Sequence, residues 1–126
     1  MTNEDALLAS LATGHRGVLA TIRGDARPQL SNVVHTLDPA SKLIRISTTH
    51  DRVKTRNLNR DPRATYYVPG SDFWTFAVAD TTADLSPVAQ TADDAVVNEL
   101  VEVYRAAMVE EKRLVIRLHV VSLYGQ

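Results

Sequence analysis

Five basic side chains fall within twelve positions of this chain: Arg52, Lys54, Arg56, Arg60 and Arg63. Such a segment has two ordinary uses. On a helix, Arg52, Arg56 and Arg60 share a face, and with Asp51 and Asp61 nearby they could form nothing more than a solvated surface. Alternatively, Lys54 stands in the first turn beside backbone N–H groups that have no acceptor within the helix. With its arginines it would then cradle a phosphate. The approach to the helix supports the second use, because Ser47, Thr48, Thr49 and His50 bring hydroxyl groups to its start. A second constellation is Gln29-Leu30-Ser31-Asn32, polar residues inside a strand-like run with no turn signal. Alternation puts Gln29 and Ser31 opposite Leu30 and Asn32, so one polar set must face inward or into a groove. There an amide can read the edge of a planar heterocycle through paired donors and acceptors. A third is Phe73-Trp74-Thr75-Phe76, holding three of the chain's seven aromatic residues. Such rings can stack on a flat ligand, but a core or a dimer interface is their commoner fate.

Other chemistries find no residues to carry them. With no cysteine, disulfides, thiolate metal sites and cysteine nucleophiles are excluded. The four histidines, His15, His35, His50 and His119, show no metal-ligand spacing. Neither a glycine-rich phosphate loop nor a nucleophile elbow occurs. With no side chain marked as acid, base or nucleophile, any reaction here would belong to a bound cofactor. A length of 126 residues predicts one domain spanning the whole chain, 1–126. An apolar fraction of 44% and a charged fraction of 23% fit a globular core rather than disorder. A net charge of −1 argues against nucleic acid as a partner. No run approaches the roughly 20 apolar residues of a membrane span, and acids replace the basic start of a secretory signal, so the expected location is the cytoplasm.

The elements that must position these groups are mostly strands. Residues 3–13 read as a helix capped by Asn3 and ended by Gly14, with a stripe of Leu7, Leu8 and Leu11. Strands are expected at 16–23 and 28–38 around a turn at 23–26, and at 42–48 after a turn at 38–41. Residues 51–63 predict a short helix, begun by Asp51 and stopped by Pro62. A strand at 63–68 and a turn at 69–72 lead into 73–87, one long bent strand or two. Residues 91–107 predict a helix with Thr91 as N-cap and Val96, Val97, Leu100, Val101 and Tyr104 on its apolar face. The last strand is 112–124, with Leu114, Ile116, Leu118, Val120 and Ser122 on one side. Arg113, Val115, Arg117, His119, Val121 and Leu123 fall on the other. Six or seven strands joined by tight turns predict a mainly β, antiparallel barrel flanked by three helices.

The runs GVLATIRGDARPQLSNV (17–33), KLIRIST (42–48) and RVKTRNLNRDPRA (52–64), in this order, resemble the pyridoxamine 5'-phosphate oxidase-like split β-barrels. The likeness is to their actinobacterial branch, which binds the deazaflavin coenzyme F420. FWTFAVADTTADLSP and RLVIRLHVVSLYG extend the resemblance over nearly the whole chain. It implies a homodimer with a cofactor in each of two grooves at the subunit interface. Residues matching Arg52, Lys54 and Asn57 would bind the cofactor phosphate and the start of its acidic tail. Those matching Gln29, Ser31, Asn32 and Ser47 would line the ring system and its linker, and Trp74 would approach from the partner subunit. The implied activity is hydride transfer from the reduced deazaflavin to an electron-poor small molecule, with no catalytic side chain. Implied alternatives are an FMN-dependent oxidase or reductase, or a non-catalytic carrier of coenzyme F420. The stretch after Tyr104-Arg105, near the mouth of the groove, is shorter than in that family, so the resemblance implies neither a substrate specificity nor a lid there.

Overall fold

The computed structural model describes residues 3–100, 104–105 and 107–126. Helix α1 (Asn3–Thr13) leads into strands β1 (Arg16–Ile22), β2 (Pro28–Asp38) and β3 (Leu43–Thr49). Helix α2 (Val53–Arg60) follows, then β4 (Arg63–Pro69), β5 (Phe76–Leu85) and β6 (Arg113–Gly125). The six strands close into an antiparallel barrel in the order β1-β2-β3-β6-β5-β4. The fold is the mainly β split barrel expected, and 73–87 contributes one strand.

The barrel interior follows from the alternation of each strand. Leu19, Ile44, Ile46, Tyr66, Ile116 and Leu118 are fully enclosed; burying each aliphatic side chain contributes about 1.5–3 kcal/mol. Leu7 and Leu11 of α1 and Leu58 of α2 pack into the same core. A second, smaller core lies outside the barrel wall. There Val115, on the outer face of β6, packs with Ala89, Val96, Val97, Leu100 and Met108 from the β5–β6 connector. Both faces of β6 are therefore covered along its first half.

A register shift between Asp80 and Thr81 pairs Asp80 with Ser122 and Thr81 with Val120, leaving Val121 without a partner on β5. The extra residue corrects the expected facing of 112–124: Val120 and Leu123 both pack against the core, and Val121 points to solvent.

Two local expectations are also corrected. The N-cap of α2 is Arg52, which makes no side-chain cap bond. Asp51 is not the cap; the Thr49 hydroxyl beside it holds its carboxyl below the usual range. Residues 91–94 form a turn instead of starting a helix. Its centre is Asp94, whose carboxylate accepts from the N–H groups of Gln90 (2.7 Å) and Thr91 (3.0 Å) and from the Thr91 hydroxyl (2.9 Å). Side-chain bonds of this kind compete with the helical backbone. Ala95–Glu99 follow as a short 3-10 helix. The remainder of the predicted helix, including Val101, falls partly outside the described residues.

Candidate functional site

Where β2 and β3 part, the barrel wall opens. The two strands pair only from Asp38–Leu43 to His35–Ile46. Residues 28–34 of β2 pair with β1 alone, while residues 47–49 of β3 continue against β6. The divergence leaves a groove of about 1040 Å³. Ser31 and Asn32 lie on its β2 side, Ser47, Thr48 and Thr49 on its β3 side, and Arg52 and Lys54 at the start of α2. Leu100 and Tyr104 of the connector and Glu111 and Arg113 at the start of β6 complete the wall.

One end of the groove is strongly cationic. The Arg52 guanidinium donates to the Thr49 hydroxyl at 3.0 Å, which turns it toward the groove. Arg113 stands directly across from Thr49 in the β3–β6 register, donating to Glu111 at 2.8 Å and reaching Ser47 Oγ at 3.4 Å. Lys54 is half-buried, and among the described residues no carboxylate pairs with it. Burial, then repulsion from Arg52 and Arg113, holds its ammonium below the ordinary 10.5. An ammonium kept desolvated beside two guanidinium groups is relieved by an incoming anion. The rest of the basic segment turns elsewhere. Arg56 donates to the Asp51 carbonyl at 3.2 Å, Arg60 to the Ile22 carbonyl at 2.8 Å, and Arg63 pairs with Asp61 at 2.8 Å.

Of the residues picked from the sequence, Ser31, Asn32, Ser47, Arg52 and Lys54 come together at this groove. Gln29 and Asn57 stand behind it. Asn57 is buried and donates to Thr21 Oγ1 at 3.0 Å, while Gln29 donates to Ser31 Oγ at 2.9 Å. Trp74 lies in the β4–β5 loop, 77% exposed, its ring stacked on that of Phe73 with centroids 4.8 Å apart. Sequence reasoning missed Arg113, Glu111, Arg45 and Tyr67. Only the strand register could have found Arg113, because Thr49 and Arg113 become neighbours through β3–β6 pairing alone.

Beneath the groove lies a buried pair. His35 Nε2 donates to the Leu11 carbonyl at 2.8 Å, which leaves Nδ1 to accept the Tyr66 hydroxyl proton. Burial, with a smaller contribution from His15, holds His35 below its ordinary 6.5; burial pushes the Tyr66 phenol well above 10.0. Gly17 permits this packing, since a Cβ there would lie 2.7 Å from the Tyr66 hydroxyl and 2.4 Å from the Tyr67 carbonyl oxygen. Below about pH 6.5 the unfolded chain takes up a proton that folded His35 refuses, so this group's contribution is present above that pH and is lost as pH falls through it. Denaturant titrations at pH 7.5 and 5.5 should show lower stability at the acidic value. His35→Gln, which retains one donor and one acceptor, should reduce that difference.

The sequence profile of pyridoxamine 5'-phosphate oxidase matches residues 4–126. Several solved structures share the fold. An F420 reductase is 18% identical, with 94% of this chain and 95% of that one covered at a TM-score of 0.72. HutZ, the heme storage protein from Vibrio cholerae, is 15% identical, with 99% and 95% covered at 0.71. A FAD-binding protein from Mesorhizobium loti is 15% identical, with 99% and 92% covered at 0.69.

Proposed function

Because the chain belongs to the pyridoxamine 5'-phosphate oxidase family, we propose that its groove binds coenzyme F420 and that the protein is a reductase acting on an electron-poor small molecule. The observation that carries this reading is the half-buried Lys54 beside Arg52 and Arg113, which pairs with no carboxylate among the described residues. That donor set fits a ligand with an anionic end, and the polar β2 wall beside it fits a planar ring. Coenzyme F420 combines a phosphodiester, a lactyl group and an oligoglutamate tail with a deazaflavin ring, and when bound it would supply the hydride. Arg52 and Lys54 would hold its phosphate and Ser47 its linker. Ser31 and Asn32 would orient the ring, and the groove walls would exclude water from it. The similarity to an F420 reductase supports the same choice.

A second copy of the chain fits this reading. Leu30 and Val34 on the outer face of β2, with Phe73 and Trp74 in the β4–β5 loop, are exposed large apolar side chains. Exposed apolar surface of this kind marks a contact face, and a homodimer would bring Trp74 to the partner's groove. FMN is the second candidate ligand, because its phosphate monoester would suit the same cations and a FAD-binding protein shares the fold. A non-catalytic carrier of coenzyme F420 is the third reading, favoured by the fold's occurrence in a heme storage protein.

Paired fluorescence titrations of the purified protein with coenzyme F420 and with FMN test the assignment. Tighter binding of the deazaflavin is the expected result, followed by its oxidation when quinones or enones are added to the reduced complex. Preference for FMN would move the function to flavin chemistry, and binding of neither would overturn it. A light-scattering mass near 13.9 kDa would remove the shared groove.

A further inference from the structure

A directed chain of hydrogen bonds runs from α2 through the barrel wall to the groove. Arg60 Nη2 donates to Asn57 Oδ1 at 3.1 Å, and Asn57 Nδ2 donates to Thr21 Oγ1 at 3.0 Å. The Thr21 hydroxyl donates to Gln29 Oε1 at 3.2 Å, and Gln29 Nε2 donates to Ser31 Oγ at 2.9 Å. Thr21 and Asn57 are almost wholly buried, so water does not substitute for either.

The sense of this chain follows from its two ends, the Arg60 guanidinium and the Leu30 carbonyl, which accepts from Gln29 Nε2 at 3.1 Å. A guanidinium has only donors, so Arg60 requires the oxygen of Asn57 on its side. That leaves the Asn57 amide group as donor to Thr21. Thr21, already accepting, gives its single proton to the Gln29 oxygen. The Gln29 amide group is then aimed at Ser31, whose oxygen accepts. The only proton of Ser31 is thereby released toward the groove that Ser31 lines. Gln29 and Asn57 need not touch a ligand to matter.

We propose that Arg60 and Asn57 are positioning residues which, through Thr21 and Gln29, fix Ser31 as a hydrogen-bond donor to an acceptor atom on the ring of a heterocyclic ligand. This rests on the functional reading above for the ligand's class, while the orientation of the chain belongs to the protein alone.

Asn57→Asp separates the two. It is nearly isosteric and keeps a partner for Arg60, but a carboxylate cannot donate to Thr21. The Thr21 proton must then go to the new carboxylate, and the Gln29 amide turns over, giving up its bond to the Leu30 carbonyl, so that its nitrogen donates to Thr21. Its oxygen now takes the Ser31 proton, and Ser31 no longer has one for the groove. In the ligand-free protein, side-chain amide NMR should place the Gln29 NH2 protons against Ser31 in the wild type and against Thr21 in the variant. An unchanged Gln29 amide in the folded variant would overturn the proposal. Binding of riboflavin, FMN and coenzyme F420 supplies the second arm. For whichever of these the wild type binds, Asn57→Asp should weaken affinity about tenfold, the scale of a lost hydrogen bond with its partner left unmatched. In a Ser31→Ala background it should add nothing. Equal losses with and without Ser31 would show a merely structural effect and overturn the proposal. If the wild type binds none of the three, the functional reading fails, and the NMR arm still decides the chain's orientation. Should Asn57→Asp not fold, Gln29→Glu tests the same step. The carboxylate it introduces cannot donate to Ser31, so the proton of Ser31 turns back toward that carboxylate and the same tenfold loss is expected, whereas unchanged affinity would overturn the proposal.

Discussion

Glu99→Ala is expected to lower the free energy of unfolding by about 2–3 kcal/mol, because it leaves two like charges facing each other with their shared counter-ion gone. Arg45 and Arg117 are direct cross-strand partners on β3 and β6. Glu99 lies between them, taking hydrogen bonds from Arg45 Nε at 3.2 Å and from Arg117 at 2.8 and 2.7 Å. Its side chain is 19% exposed, and the side chains of Arg45 and Arg117 are 23% and 28% exposed, so solvent screens the attraction only in part. The Arg117 guanidinium holds the Glu99 carboxyl below its usual range. Its contribution is therefore present above the ordinary carboxylate pKa of 4.5 and is lost as pH falls through it. Asp84, paired with Arg117 at 2.8 Å, does not replace it, because it reaches only one of the two arginines. Thermal or urea unfolding near pH 7 reads the loss. A change below about 0.5 kcal/mol, the scale of an exposed pair, would mean that the contact is a surface ion pair only. Leu100, the next residue along, lines the groove. The same variant should therefore also weaken ligand binding, although Glu99 touches no ligand.

Lys54→Ala should reduce the affinity for coenzyme F420 by about 1.5–3 kcal/mol, the range for a charge-assisted hydrogen bond. Lys54→Arg should recover part of it. The loss should shrink as salt is raised, because the interaction is between charges at a partly solvated site. Calorimetric titration at two ionic strengths checks both statements. Unchanged affinity would take Lys54 out of the binding groove and leave Arg52 and Arg113 as its cations.

Strand positions are legible in the residues because most strands alternate between interior and exterior. The pattern predicts β2 at 28–38, where it is found, and the interruption of its apolar run at Gln29–Asn32 points to the groove. Legibility ends where long-range pairing decides. Nothing local to Arg113 or Glu111 distinguishes them from ordinary polar residues beside a strand, and they join the site only through the β3–β6 register. Glu99 is hidden differently. Its apolar neighbours Val96, Val97 and Leu100 have helical spacing, yet they pack on the outer face of β6 from a connector that the Asp94 turn and the arginine pair hold in place. The basic segment misleads in one respect. Helical spacing puts Arg52, Arg56 and Arg60 together, but carbonyl groups of Asp51 and Ile22 draw the last two away from Arg52.

The position of β6 bears on how the molecule forms during synthesis. β6 is the last strand in chain order, yet it is the piece that joins β3 to β5. Its pairs with β3 link residues 64 to 76 positions apart, from Thr49–Arg113 to Leu43–His119. The β1–β2 hairpin can form as soon as it leaves the ribosome. The barrel cannot close until residues 113–125 are free. Until then β3 and β5 both present unpaired edges, which are templates for pairing with other chains. Closure over such separations belongs to the slow class of folding, milliseconds to seconds. A nascent chain arrested before β6 would therefore be a substrate for chaperones, and the last strand acts as the clasp that ends that exposure.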